Sequence, residues 1–483
     1  MKKTALLIIT TCFITQINAQ SFVEVSDTPF DGVNYASIAI ADIDNDNDLD
    51  LLISGAGNTG RVTKLYTNDV GSFTEVSGTF LDDIHSYSAV AFGDIDNDGD
   101  QDLLITAFDN SQQAYTKLYT NDGEGNFSEI SSNIGNVKQG AIAFIDLDND
   151  NDLDLLITGY SESGGSGNHA VAELYINDGS GVFNEVLETP FEGVSNSSMD
   201  FADIDNDNDM DVLITGWNDL SQKTAKLYVN DGAGAFTEVT GTPFEGCMQG
   251  SVAFADIDND DDMDVFITGK ADFSNLAILY INDGTGSFTE VADTPFEGIY
   301  ESSMAFADVD NDNDMDIVLA GLGPILSTKM YTNDGTGTFS EALDMPFDNV
   351  VRSAIAFADF DNDNDLDLLI TGYSTNVNGP NTSLYKNTMA PVGIADIDFG
   401  LSLAIYPNPV QNVFTLELEQ VIIDASNKLD LIIYDSFGRA VQIINAIKNI
   451  KTQVDISRLQ SGLYLYKLIS NREVVANGKI IKN

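Results

Sequence analysis

Asp42-Ile43-Asp44-Asn45-Asp46-Asn47-Asp48-Leu49-Asp50 places a carboxylate at every odd position of a nine-residue stretch. The pattern returns six times. The later copies supply Asp94, Asp96, Asp98, Asp100 and Asp102; Asp146, Asp148, Asp150, Asp152 and Asp154; and Asp203, Asp205, Asp207, Asp209 and Asp211. They continue with Asp256, Asp258, Asp260, Asp262 and Asp264; Asp308, Asp310, Asp312, Asp314 and Asp316; and Asp359, Asp361, Asp363, Asp365 and Asp367. Successive copies begin 52, 52, 57, 53, 52 and 51 residues apart. No loop contains a basic residue, so each crowds five like charges together. A bound hard cation is the simplest reason to keep them there.

In such a loop, side chains at positions 1, 3, 5 and 9 can converge on one ion, and the backbone carbonyl of position 7 can add an oxygen. Position 6 must turn sharply. It is Asn47, Gly99, Asn151, Asn208, Asp261, Asn313 or Asn364, all of residue types that enter the left-handed region readily. An all-oxygen donor set favours Ca²⁺ over zinc or copper, with up to seven ions, one per repeat. An EF-hand would need a glutamate at position 12 and flanking helices, whereas Ile53 and Ile105 stand there.

Around each loop the sequence reads as strands. In the fifth repeat Ser251–Ala255 precedes the loop and Val265–Gly269 follows it. A third run, Ala277–Ile281, leads through Asn282-Asp283-Gly284-Thr285-Gly286 into Ser287–Val291. Asn-Asp-Gly suits a tight turn, and no helical period is visible. Four short strands per roughly 50 residues describe a propeller blade. The seventh repeat stops at Thr388 without its fourth strand, and Ser21–Val25 matches the missing piece. The expectation is an all-β chain: a seven-bladed β-propeller closed by an N-terminal strand, followed by a small β-sandwich.

Of the 483 residues, 77 are acidic and 21 basic, a formal charge of −56. This excludes nucleic acid and anionic membrane surfaces as natural partners. The whole imbalance lies in residues 1–390, because residues 391–483 carry nine basic and nine acidic side chains. The expected organisation is a signal peptide at 1–19, a propeller at 20–388, a linker at 389–403 and a terminal domain at 404–483. Lys2 and Lys3 precede the apolar run Ala5–Ile14, which is too short to span a bilayer. No other segment is a transmembrane candidate. Past that leader Cys247 is the sole cysteine, so no intrachain disulfide can form.

The loops, preceded by segments such as Phe306-Ala307-Asp308, resemble the FG-GAP/VCBS repeats of integrin-like β-propellers over residues 21–388. The resemblance implies calcium in the loop between the first two strands of each blade. The usual glycine at position 6 survives only as Gly99.

The terminal segment alternates apolar and polar residues and carries three motifs in order. They are Tyr406-Pro407-Asn408-Pro409, Asp435-Ser436-Phe437-Gly438-Arg439 and Leu459-Gln460-Ser461-Gly462-Leu463-Tyr464. It resembles the type IX secretion sorting domain of Bacteroidetes. That implies recognition by the type IX machinery and delivery to the outer-membrane surface or the medium.

Function is expected on the face opposite the aspartate loops, where the sequence varies. Seven residues before each loop stand Tyr35, Tyr87, Gln139, Asn196, Gln249, Glu301 and Arg352. Each is followed by a small residue, as befits a crowded channel mouth: Ala36, Ser88, Gly140, Ser197, Gly250, Ser302 and Ser353. Neighbouring loops offer Trp217, His85, His169, Tyr160 and Tyr373. The recurring Thr-Pro-Phe-Glu-Gly segments read as packing between blades. The expected function is a calcium-stabilised, exported surface or secreted module for binding or adhesion, its ligand a carbohydrate or protein. The alternative is a propeller-based lyase or glycosidase, but G-x-S-x-G, H-E-x-x-H and phosphate-loop motifs are missing.

Overall fold

A computed structural model describes residues 22–77, 87–109, 111, 113–162, 169–388, 403–406, 410–418, 429–434, 440–447, 451–459, 462–470 and 473–482. The expected signal peptide, most of the expected linker, His85 and the Asp435–Arg439 motif lie outside these residues. The chain divides into two compact units, 1–389 and 390–483. All described regular structure is β.

Among the described residues, the first unit holds seven antiparallel sheets that follow one another along the chain. The fourth is typical, with strands Ser195–Ala202, Asp211–Trp217, Lys223–Asn230 and Phe236–Val239 in sequential order. In the third sheet the first strand is broken into Val137–Lys138 and Ile142–Ile145. The seventh sheet takes its outer strand from the start of the chain. Phe22–Glu24 pairs with Gly379–Asn387 in the register Phe22↔Asn387, Val23↔Lys386, Glu24↔Tyr385.

The second strand of each sheet explains the packing. Asp50–Ala56 is almost wholly buried, because both of its faces meet other sheets. Leu51 and Ile53 join Phe360, Leu369 and Leu384 of the seventh sheet. Leu52, on the other face, joins Leu103, Ile105 and Tyr119 of the second. Each such side chain contributes about 1.5–3 kcal/mol on burial. Seven clusters of this kind fill the spaces between consecutive sheets, including that between the seventh and the first.

The Thr-Pro-Phe-Glu-Gly links cross from sheet to sheet. Phe191 packs edge-on against Tyr228 of the following sheet at 4.9 Å. Gly193 lies over the preceding one, where an added Cβ would sit 2.2 Å from the Ala170 carbonyl oxygen. The Tyr228 hydroxyl accepts the Glu192 amide hydrogen at 3.0 Å. Glu192 and Glu238 both pair with Lys226. These segments are therefore fasteners between sheets.

In the second unit, Leu403–Tyr406, Val413–Leu418 and Lys451–Asp455 form one sheet. Leu429–Tyr434, Ala440–Ile447, Gly462–Ser470 and Glu473–Lys482 form another. Phe414 and Leu416 of the first share one buried core with Leu431, Ile433, Leu468 and Ile480 of the second.

Candidate functional site

Two regions of the first unit carry chemistry, and the strands hold them at opposite ends. The aspartate loops connect the first and second strands. Position 6 adopts the left-handed conformation in all seven copies, from Asn47 at φ 70° to Asn364 at 69°, with Gly99 at 93°. Position 4 does the same: Asn45, Asn97, Asn149, Asn206, Asn259, Asn311 and Asn362 all lie between 58° and 63°.

The backbone organises the carboxylates. Position 1 accepts two amide hydrogens, as Asp42 does from Asp46 and Asn47 at 3.1 and 2.9 Å. Position 5 accepts the amide of position 7, as Asp46 does from Asp48. Position 9 is buried and accepts from position 2 and from the turn asparagine, as Asp50 does from Ile43 and Asn68 at 2.9 and 2.8 Å.

Ligand oxygens of Asp42, Asp44 and Asp50 lie within 4.8 Å of one another, and the next three loops repeat this triad. The fifth loop groups Asp256, Asp258 and Asp260. Position 3 decides what these groups can hold. In all seven loops its Oδ1 is buried without a hydrogen-bond donor: Asp44, Asp96, Asp148, Asp205, Asp258, Asp310 and Asp361. An orphaned carboxylate oxygen among other carboxylates is electrostatically costly unless a cation faces it. The residues fit a metal ion.

Protonation tells the same story. Burial, reinforced by neighbouring aspartates, raises position 9 from 3.8 to about 6 in Asp50, Asp102 and Asp154. It reaches about 7 in Asp211, Asp264 and Asp367, and about 8 in Asp316. Burial also raises Asp44 and Asp96, with the adjacent aspartates adding to it.

Position 7 faces a different partner. Asn45 Nδ2 donates to Asp100 Oδ1 of the next loop at 2.8 Å. Asn97–Asp152, Asn149–Asp209, Asn206–Asp262, Asn259–Asp314 and Asn311–Asp365 repeat the bond, and Asn362 donates to Asp48. A second series starts from the turn asparagines. Asn121 Nδ2 donates to the Ile43 carbonyl of the preceding loop at 2.8 Å, and Asn68 to that of Phe360. Asn177, Asn230, Asn282, Asn333 and Asn387 do likewise. Sequence reasoning missed both series, although asparagine occupies both positions in every repeat.

At the other end, one cavity of about 170 Å³ is lined by Tyr35, Tyr87, Gln139, Asn196, Gln249, Glu301 and Arg352 with the small residues that follow them. All seven have positive φ, between 46° and 63°. In the fourth sheet the first strand is bulged at this point, its register shifting between Ser195 and Ser198. Consecutive ring residues are joined through the backbone: the amide of Asn196 donates to the Gln139 carbonyl at 2.7 Å, and that of Gln249 to Asn196 at 3.0 Å.

The side chains divide the mouth. Tyr35 and Tyr87 lie 4.1 Å apart between ring centroids. The Arg352 guanidinium stacks 4.4 Å over Tyr35, and its Nε donates to Glu301 at 2.9 Å. Gln139, Asn196 and Gln249 supply amides on the other side. Burial, then the Tyr35 hydroxyl, pushes the Tyr87 phenol above its ordinary range. Trp217, Tyr160, His169 and Tyr373 are not among the lining residues. Tyr373 instead donates to Asn378 at 3.3 Å.

A model of the FG-GAP-like repeat matches residues 50–105, 159–214, 216–267 and 269–319. A model of the secretion system C-terminal sorting domain matches 404–483. Cartilage acidic protein 1 of Xenopus tropicalis is 25% identical over 363 residues, covering 70% of this chain and 48% of that protein. The chain thus spans about half the length of this curated relative. Among solved structures, a neuraminidase-like protein of A/flat-faced bat/Peru is 10% identical with a TM-score of 0.34, covering 77% of this chain and 95% of that one. A fructofuranosidase from Schwanniomyces occidentalis is 10% identical with a TM-score of 0.31, covering 94% and 90%. The chain carries FG-GAP-like repeats ahead of a C-terminal type IX secretion sorting domain.

Proposed function

We propose that residues 20–388 form a closed seven-bladed β-propeller, stabilised by calcium, that is exported by the type IX machinery and binds an extracellular glycan or protein at its mouth. Closure is supported by the bonds Asn362 to Asp48 and Asn68 to Phe360, which link the seventh repeat to the first with the geometry of the other junctions. Calcium is supported by the oxygen-only donors and the orphaned oxygen in each loop. Positions 1, 3 and 9 would hold the ion in the first four loops, and positions 1, 3 and 5 in the fifth. When bound, it would supply positive charge and so relieve the carboxylate repulsion.

The observation that carries the binding role is the convergence of seven side chains of five chemical kinds on one cavity, while the backbone beneath them is uniform. Two tyrosines in tilted ring contact and an arginine offer flat faces, and three amides offer paired donors and acceptors, a combination suited to sugar rings and peptide groups. Catalysis by the usual glycosidase route needs two facing carboxyl groups. Glu301 is the sole carboxylate among the lining residues, and Arg352 holds it in an ion pair.

The test is a glycan and matrix-protein array probed with and without calcium, using the native chain and Tyr35→Asn, Tyr87→Asn and Arg352→Ala variants. Asparagine suits the left-handed backbone there. The expected result is a calcium-dependent hit weakened about tenfold or more by each variant, as loss of a stacking contact implies. A hit unaffected by all three variants would remove the mouth from the binding site.

A further inference from the structure

The third strand of each sheet ends next to its own aspartate loop. The residue before the turn asparagine is Thr67, Thr120, Ile176, Val229, Ile281 or Thr332 in the first six repeats. In the seventh it is Lys386. Its ammonium reaches into the seventh loop and bonds Asp361 Oδ2 at position 3 and Asp363 Oδ2 at position 5, the latter at 3.1 Å. Position 3 belongs to the metal-holding group in each of the first five loops, and position 5 to that of the fifth. Lys386 therefore takes up carboxylates that a metal ion would need.

We infer that Lys386 is a built-in counter-cation that replaces calcium in the seventh loop, so that the protein carries six tightly bound ions and one internal ammonium. This rests on the calcium reading of the other loops. A lysine ammonium neutralises one charge and donates up to three hydrogen bonds, enough to give each of two carboxylates one bond without a metal, although Asp361 Oδ1 keeps no donor. It also repels a divalent cation approaching the same oxygens, at a separation well inside the Debye length. The backbone that carries the lysine is anchored, because Lys386 pairs with Val23 in the sheet that joins the two ends of the chain.

The experiment measures calcium per chain by atomic emission and by calorimetric titration, on the whole protein after metal stripping and reloading. The proteins are the native chain, Lys386→Met, which keeps the stem and removes the charge, and Thr120→Lys, which places an ammonium at the equivalent point of the second repeat. The inference expects six ions natively, seven in K386M and five in T120K. Affinity at the seventh loop should rise about a hundredfold or more in K386M, as removal of a unit charge a few ångströms away implies. Thermal unfolding of each variant in calcium confirms that the counts come from folded protein. Seven ions in both the native chain and K386M would overturn the inference and leave the calcium reading intact. No bound calcium in any of the proteins would overturn both.

Discussion

Asparagine 177 offers a sharp test of what joins neighbouring sheets. Its side chain is buried, and its Nδ2 donates to the Ile95 carbonyl of the preceding repeat at 2.7 Å and to Leu153 at 3.1 Å. Its Oδ1 accepts the Asp178 amide at 2.9 Å. Asn177→Ala removes both donors and strands the buried Ile95 carbonyl. A buried acceptor without a partner costs about 1–3 kcal/mol, and the second bond adds about 1 kcal/mol. The expected loss is about 3 kcal/mol. Asn97 supplies the control, because its exposed bond to Asp152 crosses the same junction. Asn97→Gly deletes that bond without straining the positive φ, so it should cost about 1 kcal/mol or less. Urea unfolding in saturating calcium, followed by near-ultraviolet circular dichroism, measures both. If N177A lost no more stability than N97G, the buried amides would not be what fastens the sheets.

The metal-free protein should weaken as pH rises. Position 9 has a folded pKa between about 6 and 8 against an ordinary 3.8, so the folded state binds more protons than the unfolded one across that window. Metal-stripped protein should therefore melt at a lower temperature at pH 8 than at pH 5, and calcium should flatten the trend. A metal-free melting temperature that climbs over this range would contradict the account. Calcium itself should raise the melting temperature at pH 7.5, since binding to the folded state alone adds its free energy to stability; scanning calorimetry with and without chelator decides. Removing residues 404–483 should leave the protein inside the outer membrane, to be checked by fractionation of the native host.

The nine-residue loop made most of this legible. Its spacing gave the repeat, and its fixed register singles out the residue seven places upstream as a member of the ring. The strand pattern around it was equally clear, because burial on both faces writes a continuous apolar run such as Leu51-Leu52-Ile53. Contacts between repeats were hidden. Asn45 and Asp100 are 55 residues apart and Asn121 and Ile43 are 78, and no local pattern links such partners. Trp217 and Tyr373 looked suitable for the mouth by composition. They stand at the far ends of second strands, paired with Ser195 and Val351, and the cavity is built from the first strands instead. Lys386 was visible as an odd residue in its column, but its reach into Asp361 and Asp363 joins residues 25 and 23 positions apart that no local pattern links.

The ring around the mouth has one more consequence. All seven of its residues share a backbone conformation that β-branched side chains avoid, and none of them is β-branched. Amide-to-carbonyl bonds between consecutive members carry part of the geometry, so the backbone frame does not depend on side-chain identity alone. The ring is therefore one fixed backbone frame on which Tyr35, Tyr87, Glu301 and Arg352 are linked to one another through ring contacts and an ion pair. On the proposed binding role, point substitutions at those positions would alter what is recognised with no insertion, deletion or refolding of the strands beneath.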